Sequence, residues 1–182
     1  MRRGEILGLR WKDIDLKKGT ISIRQILVTT AEGLRFQEPK TEKSRRSVAI
    51  SPAVIEALKK HRQRQLEEAL ILGKPEAAKG LVFTSQAGTP INPRNLARHF
   101  ESVIKKEGLP PIPFHALRHT HATLMLQGGV HPKVVSERLG HSGIGTTMDI
   151  YSHVMPDMQK EAAEKFEQEL LVKTLGEKKE RT

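Results

Sequence analysis

The segment FHALRHTHAT, residues 114–123, sets three histidines and an arginine within seven residues. On a helix, His115, Arg118 and His119 stand at i, i+3 and i+4 and share roughly a 100° arc. Three readings compete: a metal cage, a grip on an oxyanion, or plain helix surface. The metal reading pairs His115 with His119, but Ala116 stands where the zinc-protease motif carries its glutamate. Arg118 on the same face would also repel a dication, so no metal ligands are assigned. A guanidinium beside an imidazole suits an oxyanion better, as a bidentate charge-assisted fork with a second donor or proton acceptor next to it. His121 falls with Leu117 and Leu124 on the side expected to face a core, and is read as a hydrogen-bonded core histidine.

Further on, RLGHSGIGTTMDIYSHV places His141 directly after Gly140 and Tyr151 ten residues later. Tyr151 is the single tyrosine of the chain. A phenol is a weak nucleophile at neutral pH, so chemistry there requires cations that favour the phenolate. Taken alone, packing is its commoner use. His119, His131 and His153 are given no role.

The elements that must position these groups are mostly helices. MRRGEILGLRW reads as a short helix already under way with no N-cap, as expected of a piece of a longer chain. A strand is expected from about Thr20 to Val28, followed by the turn TTAEG and two more strands in LRFQ and RRSVAIS, with PKTEKSR as the second hairpin loop. Together they make one small antiparallel three-stranded sheet. Ser51-Pro52 starts a helix whose apolar stripe is Val54, Leu58, Leu66 and Leu70. LVFTS is a brief strand or a buried extended segment. Asn92-Pro93 caps a helix to about Lys106, and GLPPIPF is extended because each proline disfavours helix in the residue before it. Helix resumes at His115, breaks at GGVHP, restarts from Lys133 to Leu139, and breaks again at Gly140. A short helix carries Tyr151, and a last acidic helix follows Pro156. On that helix Met155, Met158, Ala162, Phe166 and Leu170 form a narrow apolar stripe.

At 182 residues, 37% hydrophobic and 29% charged, the chain can bury a core. Its net charge of +10 argues for a polyanionic partner, nucleic acid before membrane, with a merely basic soluble protein as the plain alternative. Residues 1–66 hold sixteen Lys/Arg against seven Asp/Glu, whereas residues 154–171 hold two against five. The front of the chain is therefore expected to be able to face DNA, and the acidic end to avoid it. Arg3, Arg45, Arg46, Lys59 and Lys60 are candidate backbone contacts, with solvated surface an equal alternative. There is no cysteine, no apolar run of membrane-spanning length and no signal-peptide pattern, so the cytoplasm is the default location.

HxLRH, then LGH, then a tyrosine ten residues on resembles the catalytic domain of the tyrosine recombinases, the phage-integrase family. In that resemblance, MRRGEILGLRW matches the family's first box, with Arg2 at the catalytic arginine and Glu5 at the acid. Lys40 in PKTEKSRRSVAI matches the hairpin lysine, with Lys43 a nearby rival. The likeness runs from residue 1 to about 156. The family's separate N-terminal core-binding domain is expected to be absent, leaving a catalytic domain over 1–173 and a charged tail over 174–182. The span from Arg2 to Lys40 is longer than in compact chromosome-dimer resolvases and is similar to that of temperate-phage and conjugative-transposon integrases.

The resemblance implies an α+β, mainly helical fold around a small three-stranded antiparallel sheet. It implies site-specific cutting and rejoining of double-stranded DNA through a 3′-phosphotyrosine on Tyr151, with no cofactor, metal or ATP. Arg2 and Arg118 would clamp the phosphate oxygens, Lys40 would protonate the leaving 5′-oxygen, His115 would take the tyrosine proton or bond the phosphate, and His141 would donate to the phosphate. Glu5 would buttress. The partners implied are DNA and other protomers in a tetramer, with the last helix docking on a neighbour or packing on its own domain. Two other functions share these residues: a type I topoisomerase, and a non-catalytic DNA-binding regulator.

Overall fold

Gly4 and Gly8 let a strand cross the first helix at contact distance. In the computed structural model, which describes residues 1–39, 41, 44–73, 80–141, 143–154 and 166–167, helix α1 spans Arg3–Leu7. A Cβ on Gly4 would lie 2.7 Å from the Leu27 carbonyl oxygen, and one on Gly8 2.9 Å from the Ile26 Cα. Any larger residue at either place would push α1 off strand β3.

This crossing splits the strand expected over 20–28. A short 3₁₀ turn at Trp11–Asp13 leads into β1 (Ile14–Asp15) and β2 (Thr20–Ser22). The chain then bends through residues 23–25 before β3 (Ile26–Thr30) runs beneath α1. The bend is fastened by Gln25, whose Nε2 donates to the Gly8 carbonyl at 3.2 Å while its Oε1 accepts from Arg10 Nη1 at 3.2 Å. Two antiparallel sheets result. β3 pairs with β4 (Gly33–Gln37) as a hairpin, and β1, β2 and β5 (Ser47–Ala49) form the three-stranded sheet with Ile21 opposite Val48. The mainly helical α+β architecture with a small three-stranded sheet stands, but β1 rather than the LRFQ strand completes that sheet.

Helix α2 (Pro52–Ile71) starts at the Ser51-Pro52 signal, and α3 (Pro93–Lys106) starts at Asn92, whose side chain accepts from the Arg94 amide at 2.9 Å. Helix α4 (Ala116–Gln127) follows the proline-rich segment. Helix α5 (Pro132–Leu139) starts one residue earlier than expected, because the His131 ring accepts from the Lys133 amide at 3.2 Å and caps it. Gly140 ends α5 with φ 68°, in the left-handed region glycine allows, and α6 (Gly145–Val154) carries Tyr151. The LVFTS segment is no regular strand: it bends at Val82 and Phe83 between isolated bridges from Leu81 to Arg10 and from Thr84 to Pro90, with Val82 buried.

Two apolar cores organise these elements. Leu9, Trp11, Ile21, Ile23, Val48, Leu58 and Val82 form one beneath the three-stranded sheet. Ala122, Leu126, Val135 and Leu139 form the other between α4, α5 and α6, with Ile150 and Tyr151 packed against it.

The stripe expected on α2 is not its buried face. Leu58 is buried, but Leu70 is 66% exposed and Val54 and Leu66 also face solvent. The buried positions are Leu58, Gln65 and Ala69. Gln65 is drawn inward by hydrogen bonds: its Oε1 accepts from Trp11 Nε1 at 2.7 Å, and its Nε2 donates to the Leu81 carbonyl at 3.2 Å. A paired amide thus occupies a place periodicity reserved for leucine. On α4 the expected faces are exchanged in the same way. Leu117 and Leu124 are 44% and 61% exposed, and His121 is an exposed partner of Arg138 Nε rather than a core histidine. The wholly buried Ala122 and Leu126 turn the opposite face to α5 and α6.

The acidic last helix and the 174–182 tail fall largely outside the described residues; Phe166 of the expected stripe is exposed. No helix among the described residues is long and apolar enough to cross a membrane.

Replacing Gln65 by leucine strands the buried Trp11 indole N–H, so unfolding free energy is expected to fall by about 1–3 kcal/mol. Leu70→Ser on the exposed side of α2 should stay within about 0.5 kcal/mol of the parent. Urea unfolding followed by fluorescence of Trp11, the chain's single tryptophan, measures both.

Candidate active site

The last turn of α5 ends in carbonyls that its own backbone cannot use, at the negative end of the helix. Three guanidinium groups from three distant segments meet them. Arg46, just before β5, donates from Nε to the Arg138 carbonyl at 2.8 Å. Arg118, on α4, donates from Nη2 to the Leu139 carbonyl at 2.7 Å. Arg2, preceding α1, donates from Nη2 to the Gly140 carbonyl at 2.8 Å. Gly140 is required here for space as well as for φ, since a Cβ would lie 2.8 Å from Arg46 Nη1.

Glu5 supplies the counter-charge. Its carboxylate takes a two-point fork from Arg46 at 3.0 and 2.9 Å, the Arg2 amide at 2.6 Å and Arg2 Nη1 at 3.1 Å. The Glu5 side chain is 2% exposed and that of Arg46 7%, so this is a buried ion pair with its lone pairs well occupied. Burial raises the Glu5 pKa, but the Arg46 hydrogen bond, the Arg2 amide and the two guanidinium charges outweigh it and hold the carboxyl below its ordinary value.

Arg118 is the cation this arrangement leaves unneutralised. Its Nη1 is buried and has no hydrogen-bond partner among the described residues. Burial, and then the charge of Arg2, push its pKa down to about 10, with Glu5 opposing and Arg46 adding to the fall. It stays cationic at neutral pH. His141 lies beside it, and burial followed by the charges of Arg118 and Arg2 lowers its pKa, favouring the neutral ring. Its Nδ1 is 2.8 Å from the Thr147 hydroxyl.

Arg2, Glu5, Arg118 and His141 therefore come together in one cationic cluster. His115 is exposed at the start of α4, its ring edge-on to His119 at 6.0 Å between centroids. Tyr151 is half-buried on α6 against the α4–α5 core. Lys40 and Lys43 lie outside the described residues.

Of the expected surface contacts, Arg3, Lys59 and Lys60 are exposed, with Lys59 paired to Glu56 at 2.7 Å. Arg45 is exposed and paired with Glu38. Arg46 is placed differently from its expected surface position: it is interior and held by Glu5. The alternation of β5 could have separated the two arginines, because Val48 points inward and Arg46 shares its side of the strand. A groove of about 620 Å³ borders the cluster, lined by Arg45, Lys133, Gly140, His141 and Ile144 among others. Among the described residues no three histidine or acidic side chains are grouped to hold a metal ion.

Because the folded pKa of Glu5 is depressed, its contribution to stability is present above the unfolded value of about 4.5 and is lost as pH falls through the folded value. Glu5→Gln leaves Arg46 as a buried cation without its counter-charge, so stability at pH 7 should drop by roughly 3–5 kcal/mol. The gap to the parent should narrow on the acid side of that window, as read by denaturant unfolding at stepped pH.

Comparison with known proteins places the chain in a family. Residues 1–158 match the phage integrase family. The tyrosine recombinase XerC-like protein of Caldanaerobacter subterraneus subsp. tengcongensis is 41% identical over 176 residues, covering 90% of this chain and 45% of that protein. The ICEBs1 integrase of Bacillus subtilis is 32% identical, covering 92% of this chain and 45% of its own. Among solved structures, the Tn1549 transposon integrase in complex with transposon right end DNA superposes with a TM-score of 0.77 at 27% identity, over 91% of this chain and 54% of that one. The chain thus spans about half the length of the relatives it matches. It shares their fold, and it belongs to the phage integrase family of tyrosine recombinases.

Proposed function

We propose that this domain cuts and rejoins double-stranded DNA at specific sites through a covalent 3′-phosphotyrosine, in the integration or excision of a phage or conjugative element. The observation that carries the reading is the spare, buried Nη1 of Arg118, set beside Arg2 and the neutral-leaning His141. A guanidinium nitrogen held out of water without a partner is costly in the free protein and is matched by a phosphate oxygen that takes its hydrogen bond.

The Tyr151 hydroxyl oxygen attacks the scissile phosphorus and its proton passes to His115. The bond from phosphorus to the 5′-oxygen breaks, and Lys40 protonates that leaving oxygen. Arg2 and Arg118 neutralise the non-bridging oxygens, where negative charge grows in the transition state, and His141 donates to one of them. The new phosphodiester stores the energy of the old one, so a 5′-hydroxyl reverses the step without ATP. Arg3, Arg45, Lys59 and Lys60 contact the DNA backbone from the surface. Residues 1–173 are the catalytic domain, with 174–182 as a charged tail, and it acts in the cytoplasm within a tetramer on DNA. The acidic segment after Pro156 docks on a neighbouring protomer.

Incubation with a nicked suicide substrate should trap a covalent protein–DNA adduct. Tyr151→Phe should abolish the adduct while leaving salt-dependent DNA binding intact. An adduct that persists without the phenol, or equal loss of binding and cleavage, counts against the reading. Supercoil relaxation without strand exchange would instead assign a topoisomerase. Arg118→Lys keeps a charge but not the fork, and adduct formation should slow by about 10²–10³, as when one transition-state donor is removed.

A further inference from the structure

The Thr147 hydroxyl is wholly buried on the first turn of α6 and lies 2.8 Å from His141 Nδ1. A hydroxyl in a helix can turn back to the carbonyl four residues earlier. Thr120 does so to Ala116 at 3.1 Å, and Ser152 to Met148 at 3.0 Å. Among the described residues Thr147 makes no such bond; its hydroxyl meets the imidazole instead.

This geometry decides where the ring proton sits. A buried hydroxyl has one proton to donate. If Nδ1 carried a hydrogen and pointed it at the threonine oxygen, the hydroxyl proton would be left in the interior with no acceptor among the described residues. If the hydroxyl donates to Nδ1, both groups are satisfied and the ring's own proton must be on Nε2. A doubly protonated ring meets the same obstruction at Nδ1 and also faces the charges of Arg118, Arg2, His119 and Arg46. The ring borders the groove beside Gly140 and Ile144, so the nitrogen that Thr147 does not hold is the one free to meet a ligand there.

We propose that Thr147 is a positioning residue that fixes His141 as the neutral Nε2–H tautomer, so that the ring presents a hydrogen-bond donor, and not a base, to the phosphate. The use made of the donor rests on the strand-transfer reading above; the tautomer itself does not. The guanidinium groups of Arg2, Arg46 and Arg118 already converge on this helix end, so a neutral donor adds a directed bond without adding another charge to their mutual repulsion.

The test uses the whole chain with ¹⁵N-labelled histidine and two-bond ¹⁵N–¹H correlation of the rings, with His141 assigned by its absence in His141→Gln. The parent should show the Nε2–H pattern for His141 at neutral pH. Thr147→Val, nearly the same shape without the donor, should move the ring toward the other tautomer and slow adduct formation on the suicide substrate by at least about tenfold. Thr147→Ser should restore both. An Nδ1–H ring in the parent, or an unchanged tautomer in Thr147→Val, overturns the proposal; the parent spectrum decides alone if the valine variant does not fold. If the tautomer moves as expected but the parent forms no adduct, the tautomer assignment stands and the strand-transfer reading fails.

Discussion

The buried carboxylate of Glu5 is the interaction on which the rest of the site depends. Three guanidinium groups converge on one helix end, and without a counter-charge their repulsion in a partly dehydrated interior would drive them apart. Glu5 answers Arg46 with a two-point fork and shares itself with Arg2. That neutralises the buried Arg46 and leaves Arg118 Nη1 without a hydrogen-bond partner among the described residues. The carbonyls of α5 hold all three groups in place by dipole rather than by net charge, so the cluster remains cationic overall. An anion arriving there meets donors whose positions are already set, which is the condition for charge stabilisation without reorganisation.

The same contacts hold the two apolar cores together. Arg2 and Arg46 come from the side of the Trp11 core, while Arg118, Gly140 and His141 come from the α4–α5–α6 side. Arg138 adds a stitch in the other direction, donating to the Ala49 carbonyl at 2.7 Å. The candidate site therefore occupies the seam between the cores, and the bonds that position it are those that close the seam. Glycine makes the closure possible at both ends: Gly140 gives Arg46 room, and Gly4 and Gly8 bring α1 onto β3 so that Arg2 and Glu5 arrive at the right depth.

Local chemistry was legible where a residue's conformation is its own. The proline-led helix starts at Pro52 and Pro93, the break at Gly140 and the extended proline segment all follow from backbone rules that need no distant partner. Failures came where burial depends on what lies opposite. Gln65 is interior because Trp11, fifty-four residues away in sequence, needs an acceptor. The strand through residues 23–25 breaks because α1, with Gly4 and Gly8 at the point of closest approach, lies in its path. Leu117 and Leu124 face outward because α5 and α6 cover the side of α4 that carries Ala122.

The sequence by itself determined the chemical inventory and its order: two arginines, an acid, histidines and a lone tyrosine, spaced as in one family. It did so because side-chain type and local backbone preference are properties of single residues and their near neighbours. Only the tertiary structure decided that Arg46 is a buried partner of Glu5 while its neighbour Arg45 faces solvent, and that Thr147 grips His141. Those assignments rest on which segments meet across the seam, and electrostatic pairing in a dry interior has no signature until the two charges are brought within hydrogen-bonding distance.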